Sequence, residues 1–365
     1  MLTKLAGSLI LSLLSLMAAA QTPLKMGIAG LTHGHVGWAF DSERKGDIEI
    51  VGIAEPDTEV AKRYAAKYGF DLDKVYRTLP EMLDATKPVA VAAFGSILQH
   101  RDVVRDCAPR GIHVMVEKPL AISAAHAEEM ISLAQKNNTL LVTNYETTWY
   151  PTNHRIHEWI DQQRLGTIRK IVIHDGHEGP KEIGVQPEFL AWLTDPQQNG
   201  GGAIIDFGCY GANLATWFMK GQLPQAVTAV TQQLKPEIYP KVDDEATIIL
   251  TYPQTQIIIQ ASWNWPYGRK DTEVYGTKGY AFAEDKHHLR SRLEEQNEET
   301  QTLEERRAPF QDPFTFFAAL INGKIAMEPG DLSAPANNLT VMKILDAARK
   351  SSQTGMTVQL GESAK

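Results

Sequence analysis

The stretch Met26-Gly27-Ile28-Ala29-Gly30-Leu31-Thr32-His33-Gly34-His35-Val36 passes, within eleven residues, from a buried-strand pattern through a glycine-rich turn to the start of a helix. That junction is the layout in which the free N–H groups of a helix N-terminus face a pyrophosphate. The fingerprint of such loops is G-x-G-x-x-G. Laid from Gly30 it falls on Gly30, Thr32 and His35, so one position of the three is glycine. Taken alone, the loop reads equally as a tight strand-to-helix turn without a ligand.

The chain that follows keeps the rhythm. Strand patterns at 48–55, 89–94, 111–116 and 140–143 alternate with helical ones at 36–43, 58–68, 100–107 and 123–134. Strands separated by helical stretches predict a parallel, doubly wound sheet, so residues 24–145 read as one α/β domain of Rossmann type. Glu55 ends the second strand, 25 residues after Gly30. An acid there accepts hydrogen bonds from the adenosine ribose and repels a 2′-phosphate, which favours NAD over NADP. A solvated strand-end acid is the alternative.

From Tyr150 the rhythm changes. A helix over 151–165 ends at Gly166, and strand patterns follow at 167–174, 226–234, 245–252, 256–263 and 272–275, with a hairpin turn at 252–256. Residues 146–365 therefore read as an α+β domain with a large, mostly antiparallel sheet. The charged segment 285–307 reads as a solvated, partly mobile surface. Helices over 312–321 and 337–349 and a short strand at 357–360 close the chain and are expected to pack back on the core.

The first residues have a different logic. Lys4, an apolar run over 5–17 and Ala18-Ala19-Ala20 have the form of a secretory signal peptide cleaved after Ala20, leaving 345 of 365 residues. A membrane anchor is the alternative, but the run is short for a span. The chain is expected to be exported, periplasmic or secreted, without stable membrane association. A net charge of −8 argues against nucleic acid as a partner. Cys107 and Cys209 are two free thiols or one bridge; two cysteines make no disulfide framework.

Two further motifs carry chemistry. Glu117-Lys118-Pro119 stands at the C-terminal end of a strand, where open α/β sheets bind ligands. Gly200-Gly201-Gly202 leads into a helix on which Asp206, Tyr210 and Asn213 recur at i, i+4 and i+7, one face of the helix. A buried structural network is the alternative for that stripe. His174 and His177, three apart on a strand, point to opposite faces, so that one of them, taken as His177, lines a cleft. His33 and His35 lack a carboxylate or cysteine partner in the sequence pattern, and no metal is expected.

On these motifs the chain resembles the Gfo/Idh/MocA oxidoreductases. The resemblance rests on the loop at 27–35, on Glu117-Lys118-Pro119, on 200–213 and on the closing 337–360 stretch. It implies a first domain that binds NAD or NADP and a second that carries the substrate site and often the oligomer contact. Sugars and polyols are the implied substrates. Carried over, Gly30, Thr32, His33, Gly34, His35, Glu55, Glu117 and Lys118 would line the cofactor, and Lys118, Asp206 and Tyr210 would be catalytic, with Asn213 and His177 touching substrate. Tyr210 stands where many members have histidine and looks like the acid/base of a variant group. A free tyrosine titrates near 10, and the Lys118 ammonium is expected to lower that. Thr32 and His35 depart from the fingerprint, and 96–100 keeps only His100 of the family's pattern there.

The resulting expectation is an exported oxidoreductase that moves hydride between NAD and a sugar, polyol or glycoside. Free NAD is expected to be scarce outside the cytoplasm, so the cofactor would be tightly held and recycled. That permits coupled oxidation and reduction of two sugars. It also permits a glycosidase reaction through transient oxidation. A non-catalytic carbohydrate-binding protein is the alternative of another class. A homo-oligomer joined through the second sheet is expected.

Overall fold

The computed structural model describes residues 23–360; the signal-peptide segment lies outside the described residues. The first half runs β1 (Leu24–Ala29), α1 (Val36–Lys45), β2 (Ile48–Ala54), α2 (Thr58–Tyr68), β3 (Val75–Tyr76), α3 (Leu79–Thr86), β4 (Ala90–Ala93), α4 (Gln99–Cys107), β5 (His113–Glu117), α5 (Ala124–Lys136) and β6 (Leu141–Asn144). Sheet order is β3-β2-β1-β4-β5-β6, all parallel. Every residue of β4 and β6 is buried, the pattern of strands covered on both faces. Three of these helices, α2, α3 and α5, start where the sequence offers a cap. Asp57 accepts the Glu59 and Val60 amides, and Thr78 with Glu81 forms a capping box. The strand order reverses between β1 and β4, and that switch point is where such a sheet opens a ligand crevice.

The second half runs α6 (Pro151–Asp161), β7 (Ile168–Gly176), α7 (Pro187–Leu193), α8 (Pro196–Asn199), α9 (Ala203–Asp206), α10 (Gly208–Phe218), β8 (Ala226–Gln232), β9 (Glu245–Thr251), β10 (Gln256–Ser262), β11 (Arg269–Gly276), β12 (Gly279–Ala283), β13 (His288–Leu293), β14 (Glu299–Thr302), α11 (Pro313–Ile321), α12 (Pro335–Thr354) and β15 (Val358–Gln359). Its nine-stranded sheet has the order β14-β13-β12-β11-β7-β10-β9-β8-β15. All pairs are antiparallel except β7 with β10. Helix α10 is buried along its whole length, between this sheet and α12.

One expectation is corrected here. Residues 285–307 are a solvated surface as expected over 294–300, which are exposed throughout, but they are not irregular: they contain β13 and β14. Leu289, Ser291 and Leu293 point inward while the charges face out, where Arg290 pairs with Glu284 and Glu298. The density of charge hid a period of two. The two cysteines are both free and buried.

The halves share their cores. Phe314 and Phe317 of α11 pack with Met26, Ile28 and Phe40 of the first domain. The second cluster runs from Val91 and Val116 of the first sheet through α10 to Ile248 and Ile259 of the second. The two sheets are thus joined by continuous packing.

Candidate active site

Gly30 turns the chain out of β1 with φ +82°, a region that side chains with a Cβ rarely adopt, and a Cβ there would lie 2.9 Å from the Gly95 nitrogen. The loop is anchored by Gly30 N–H to the Ala54 carbonyl and His33 N–H to the Phe94 carbonyl, both 2.8 Å. Among the described residues the Thr32 and Gly34 amides meet no protein acceptor, and α1 begins without a side-chain cap. Unsatisfied donors at a helix start suit a phosphate. The departures from the fingerprint leave the space open. The Thr32 hydroxyl donates to the Phe94 carbonyl (3.4 Å) and accepts from Trp192 Nε1 (3.1 Å). The His35 ring turns to Glu117 and stacks on Trp38 at 3.9 Å. The result is a groove of ≈ 420 Å³ lined by Gly30, Thr32, Glu55, Gly95, Trp192 and Gln198 among others. These residues fit a dinucleotide.

Glu55 lines that groove, but its role is wider than a ribose contact. Its two oxygens accept the Leu31 and Asp57 amides, each at 3.0 Å, so it also anchors the loop. Burial pushes its pKa up, against those two hydrogen bonds.

A segment of the second domain crosses over the loop. Phe189 and Trp192 of α7 pack on the His33 ring, with centroids 4.9 and 5.9 Å away. Ser96 Oγ donates to Gln198 Oε1 (2.7 Å), and the Leu98 amide donates to the Gln198 carbonyl (2.9 Å). Nothing in the pattern of residues 187–199 announced this strap.

Below the loop lies Glu117. Burial alone would raise its pKa, but His35 at 2.9 Å, His33 and the Asn144 amide at 2.8 Å hold it down at about 2. Asn144 is oriented in turn by Trp149 Nε1 (3.0 Å). Burial keeps His33 uncharged, its pKa well below the usual value. His33, His35 and Glu117 place their donor atoms within 4.8 Å of one another, so tertiary folding supplies the carboxylate that the sequence pattern lacked. The His33 Nδ1 accepts the His35 amide (3.1 Å), which puts the proton of the neutral ring on Nε2. His35 and Glu117 satisfy each other. We read the three as a hydrogen-bond network.

Lys118 follows β5 with its side chain buried. Its ammonium pairs with the Asp206 carboxylate and also donates to the Asp206 carbonyl (3.1 Å). Trp263 Nε1 donates to the other Asp206 oxygen (3.0 Å). Burial works against both charges, but their attraction wins: Lys118 is raised and Asp206 lowered. Gly202 lets the chain enter α9, which carries Asp206, close against Asp243. A Cβ on Gly202 would lie 1.8 Å from the Asp243 carbonyl oxygen, and the Asp243 carboxylate caps α9 through the Gly202 (2.9 Å) and Ile204 (2.7 Å) amides.

Tyr210 joins this pair, with Lys118 Nζ 5.0 Å and Lys270 Nζ 4.9 Å from its ring centroid. Its expected titration is corrected. Burial, with Glu146, Cys209 and Asp175 nearby, pushes the phenol well above its ordinary value. The two ammonium groups do not offset this, because Asp206 and Glu146 already pair with them.

Two further readings change. Asp206, Tyr210 and Asn213 do not ride one helix: Phe207 breaks α9 from α10. Asn213 is fully buried and donates to the Leu332 carbonyl (2.9 Å) and to Asn338 (3.4 Å), so it fastens the approach to α12 and does not face a substrate. His177 does stand beside the centre, edge-on to Phe207 at 4.9 Å. Its neighbour His174 faces the other way and bonds Asp271 (2.9 Å).

Three residues were missed: Glu146, Asp175 and Lys270. Lys270 pairs with Glu146, whose other oxygen accepts the Tyr150 hydroxyl (2.6 Å). Asp175 had a legible signal. It continues the inward stripe Ile171, Ile173 of β7, a carboxyl where period two calls for an apolar residue. Glu146 and Lys270 had none, being partners only across 124 positions of chain.

Comparison with known proteins agrees with this architecture. Residues 24–145 match the family model described as an oxidoreductase family with an NAD-binding Rossmann fold, and residues 153–282 match the Gfo/Idh/MocA C-terminal domain model. The trans-1,2-dihydrobenzene-1,2-diol dehydrogenase of Xenopus tropicalis is 30% identical over 236 residues, 64% of this chain and 66% of the relative. The human counterpart is 28% identical over 207 residues, 56% of this chain and 57% of its own. The chain thus spans about two thirds or less of these relatives. Among solved structures, an aldose-aldose oxidoreductase from Caulobacter crescentus in complex with glycerol aligns with TM-score 0.77 at 22% identity, covering 93% of this chain and all of that one. An inositol dehydrogenase homologue from Azotobacter vinelandii with NAD+ aligns with TM-score 0.79 at 17% identity, covering 93% and 98%. With its NAD-binding Rossmann domain, its antiparallel second sheet and both domain models matched, the chain belongs to the Gfo/Idh/MocA oxidoreductase family.

Proposed function

We propose that this chain is an exported oxidoreductase that oxidises and re-reduces a hydroxyl-bearing carbon of a sugar, polyol or glycoside, with NAD retained through turnover. The observation that carries this reading is the convergence of Lys118, Asp206 and Tyr210 in one buried cluster beside the groove. In this reading the loop amides of Thr32 and Gly34 hold the pyrophosphate, Glu55 flanks the adenosine ribose, and Lys118 stands at the nicotinamide end. The cofactor supplies the hydride acceptor. The Lys118 ammonium stabilises negative charge on the reacting oxygen, and Tyr210 donates a hydrogen bond to it. The 187–199 strap supports retention, since the groove lies beneath residues of both domains.

A cavity of ≈ 310 Å³ favours a second form of the reading, in which the substrate is a glycoside cleaved through transient oxidation. It is lined by Trp38, Trp149, Tyr150 and Glu146, and Glu146 belongs to the reaction centre as well. Aromatic faces with carboxylates suit a neutral sugar ring. The inferred oligomer would use the second sheet, where Val230 of β8 is exposed; light scattering of the purified chain would read its mass.

The test is to denature the purified protein and identify the released nucleotide by absorbance and mass. Stoichiometric NAD or NADH is expected, and sugars or methyl glycosides added to the intact protein should raise the absorbance of reduced nicotinamide. A chain free of nucleotide that also fails to bind added NAD or NADP would leave a carbohydrate-binding protein as the reading. Mass spectrometry of the periplasmic fraction should find an N-terminus at Gln21.

A further inference from the structure

Asp206 divides its carboxylate. One oxygen pairs with Lys118, and the other accepts the indole N–H of Trp263 (3.0 Å). Trp263 is fully buried, so whatever holds its main chain also aims that indole. Its amide donates to the Asp244 carbonyl (2.8 Å), and its carbonyl accepts the Lys235 ammonium (2.6 Å). Lys235 stands just past β8. Its backbone is fixed there by the Asp244 carboxylate, which accepts the Leu234 (2.8 Å) and Lys235 (2.6 Å) amides.

The same ammonium reaches a second part of the structure. It donates to the Glu178 carbonyl (2.7 Å) and the Glu182 carboxylate (2.6 Å), both in the loop that joins β7 to α7. A lysine ammonium has three N–H donors. Two of them hold the loop, and the third holds Trp263. Tyr239 packs on the Trp263 ring, with centroids 4.9 Å apart. Its hydroxyl donates to the other Glu182 oxygen and accepts the Lys181 amide (3.2 Å). The loop runs directly into α7, whose Phe189 and Trp192 pack on the His33 ring, and Trp192 lines the cofactor groove.

Resting on the reading above, we propose that Lys235 is a positioning residue that ties closure of the 178–199 segment over the cofactor groove to the orientation of Asp206. With the segment closed, the loop supplies two acceptors that draw the ammonium across to the Trp263 carbonyl. The indole then holds one Asp206 oxygen and leaves the other to Lys118, beside the Tyr210 ring. When the segment lifts to admit or release nucleotide, the ammonium loses two of its three acceptors, and the main chain of Trp263 loses a fixed anchor. The reaction centre is thereby completed under a closed segment. The link opens more readily than what lies behind it. The Lys235 and Glu182 side chains are 21% and 28% exposed, and ion pairs that water reaches are weak. Trp263, Asp206 and Lys118 are buried, so opening at Lys235 leaves the core packed.

The test uses the whole chain with fluorotryptophan at position 263 alone. The parent, Lys235→Met and Glu182→Gln are compared by fluorine NMR and by release of bound NAD during gel filtration. A third readout is the rate at which a panel of aldoses and methyl glycosides reduces that NAD. Glu182→Gln alters only the loop side of the link. Both variants are expected to move the fluorine signal, release NAD faster and reduce it more slowly at saturating sugar. Lys235→Met should lose about 10–10²-fold in that rate, the scale of a slightly misplaced catalytic group. A signal unmoved in Glu182→Gln overturns the proposal. So does faster release with an unmoved signal in Lys235→Met, which would make Lys235 a staple for the loop alone. If the signals move and NAD leaves faster but no sugar reduces the NAD of the parent, the sugar-oxidation reading falls and the link stands. If the parent carries no nucleotide, the reading of a retained cofactor falls, and the signal in Glu182→Gln decides for or against the link. Should Lys235→Met fail to fold, Glu182→Gln decides by the same signal.

Discussion

Lys118 and Asp206 meet across 88 positions of chain, and each is held as an ion chiefly by the other. Removing one partner of a buried pair leaves an uncompensated charge, which typically costs about 3–5 kcal/mol. Lys118→Met is therefore expected to lose roughly that much in urea unfolding, and Lys118→Met with Asp206→Asn to recover part of it. Equal losses in the single and double variants would show that packing, not charge, holds this site. Glu117 makes a claim about pH. Its pKa in the folded chain is about 2, below the ordinary 4.5, so it stabilises fully above 4.5 and loses that contribution as pH falls through about 2. The stake is roughly 3 kcal/mol. Acid unfolding of Glu117→Gln should show a weaker pH dependence over that window, and an unchanged one would mean that other groups carry it. That Lys118 and Asp206 belong together was legible because both stand in recognisable motifs. Tyr210's titration was not, because it depends on which carboxylates already neutralise the lysines around it.

At the scale of elements, the glycine run before α9 shows how a motif can be read correctly as a signal and wrongly as geometry. The i, i+4, i+7 spacing placed Asp206, Tyr210 and Asn213 on one face, and Phe207 breaks that helix. What Gly202 permits is the approach of Asp243, which is out of sight in the local sequence. Gly202→Ala is expected to cost at least about 2 kcal/mol, since backbone must move to relieve the overlap. A melting temperature within a degree or so of the parent's would contradict the contact. The strap of α7 and α8 is likewise a tertiary fact. Trp192→Ala removes both its packing on His33 and its hydrogen bond to Thr32. The expected outcome is faster loss of bound nucleotide during gel filtration, with the fold retained by circular dichroism. Retention equal to the parent's would remove the strap from the account of cofactor holding.

Over the whole molecule, both cysteines lie in one continuous core that joins the two sheets. Burial pushes the Cys107 thiol up to about 12 and Cys209 higher still. Both are expected to ignore a thiol reagent in the native state and to react together on unfolding. Early modification of one alone would show that its half opens separately. The sequence by itself determined the parallel first sheet, the change to an antiparallel second one, and the glycine loop at the groove. Those follow from periodicity, glycine and proline, which act through the local backbone. It could not show that β13 alternates beneath its charges, or that His35 would find a carboxylate. Nor could it show that Asp175 would face Lys270 with nothing to bond to. Those depend on strand register and on which residues, distant in the chain, share a low-dielectric space, where each charge is set by its neighbours.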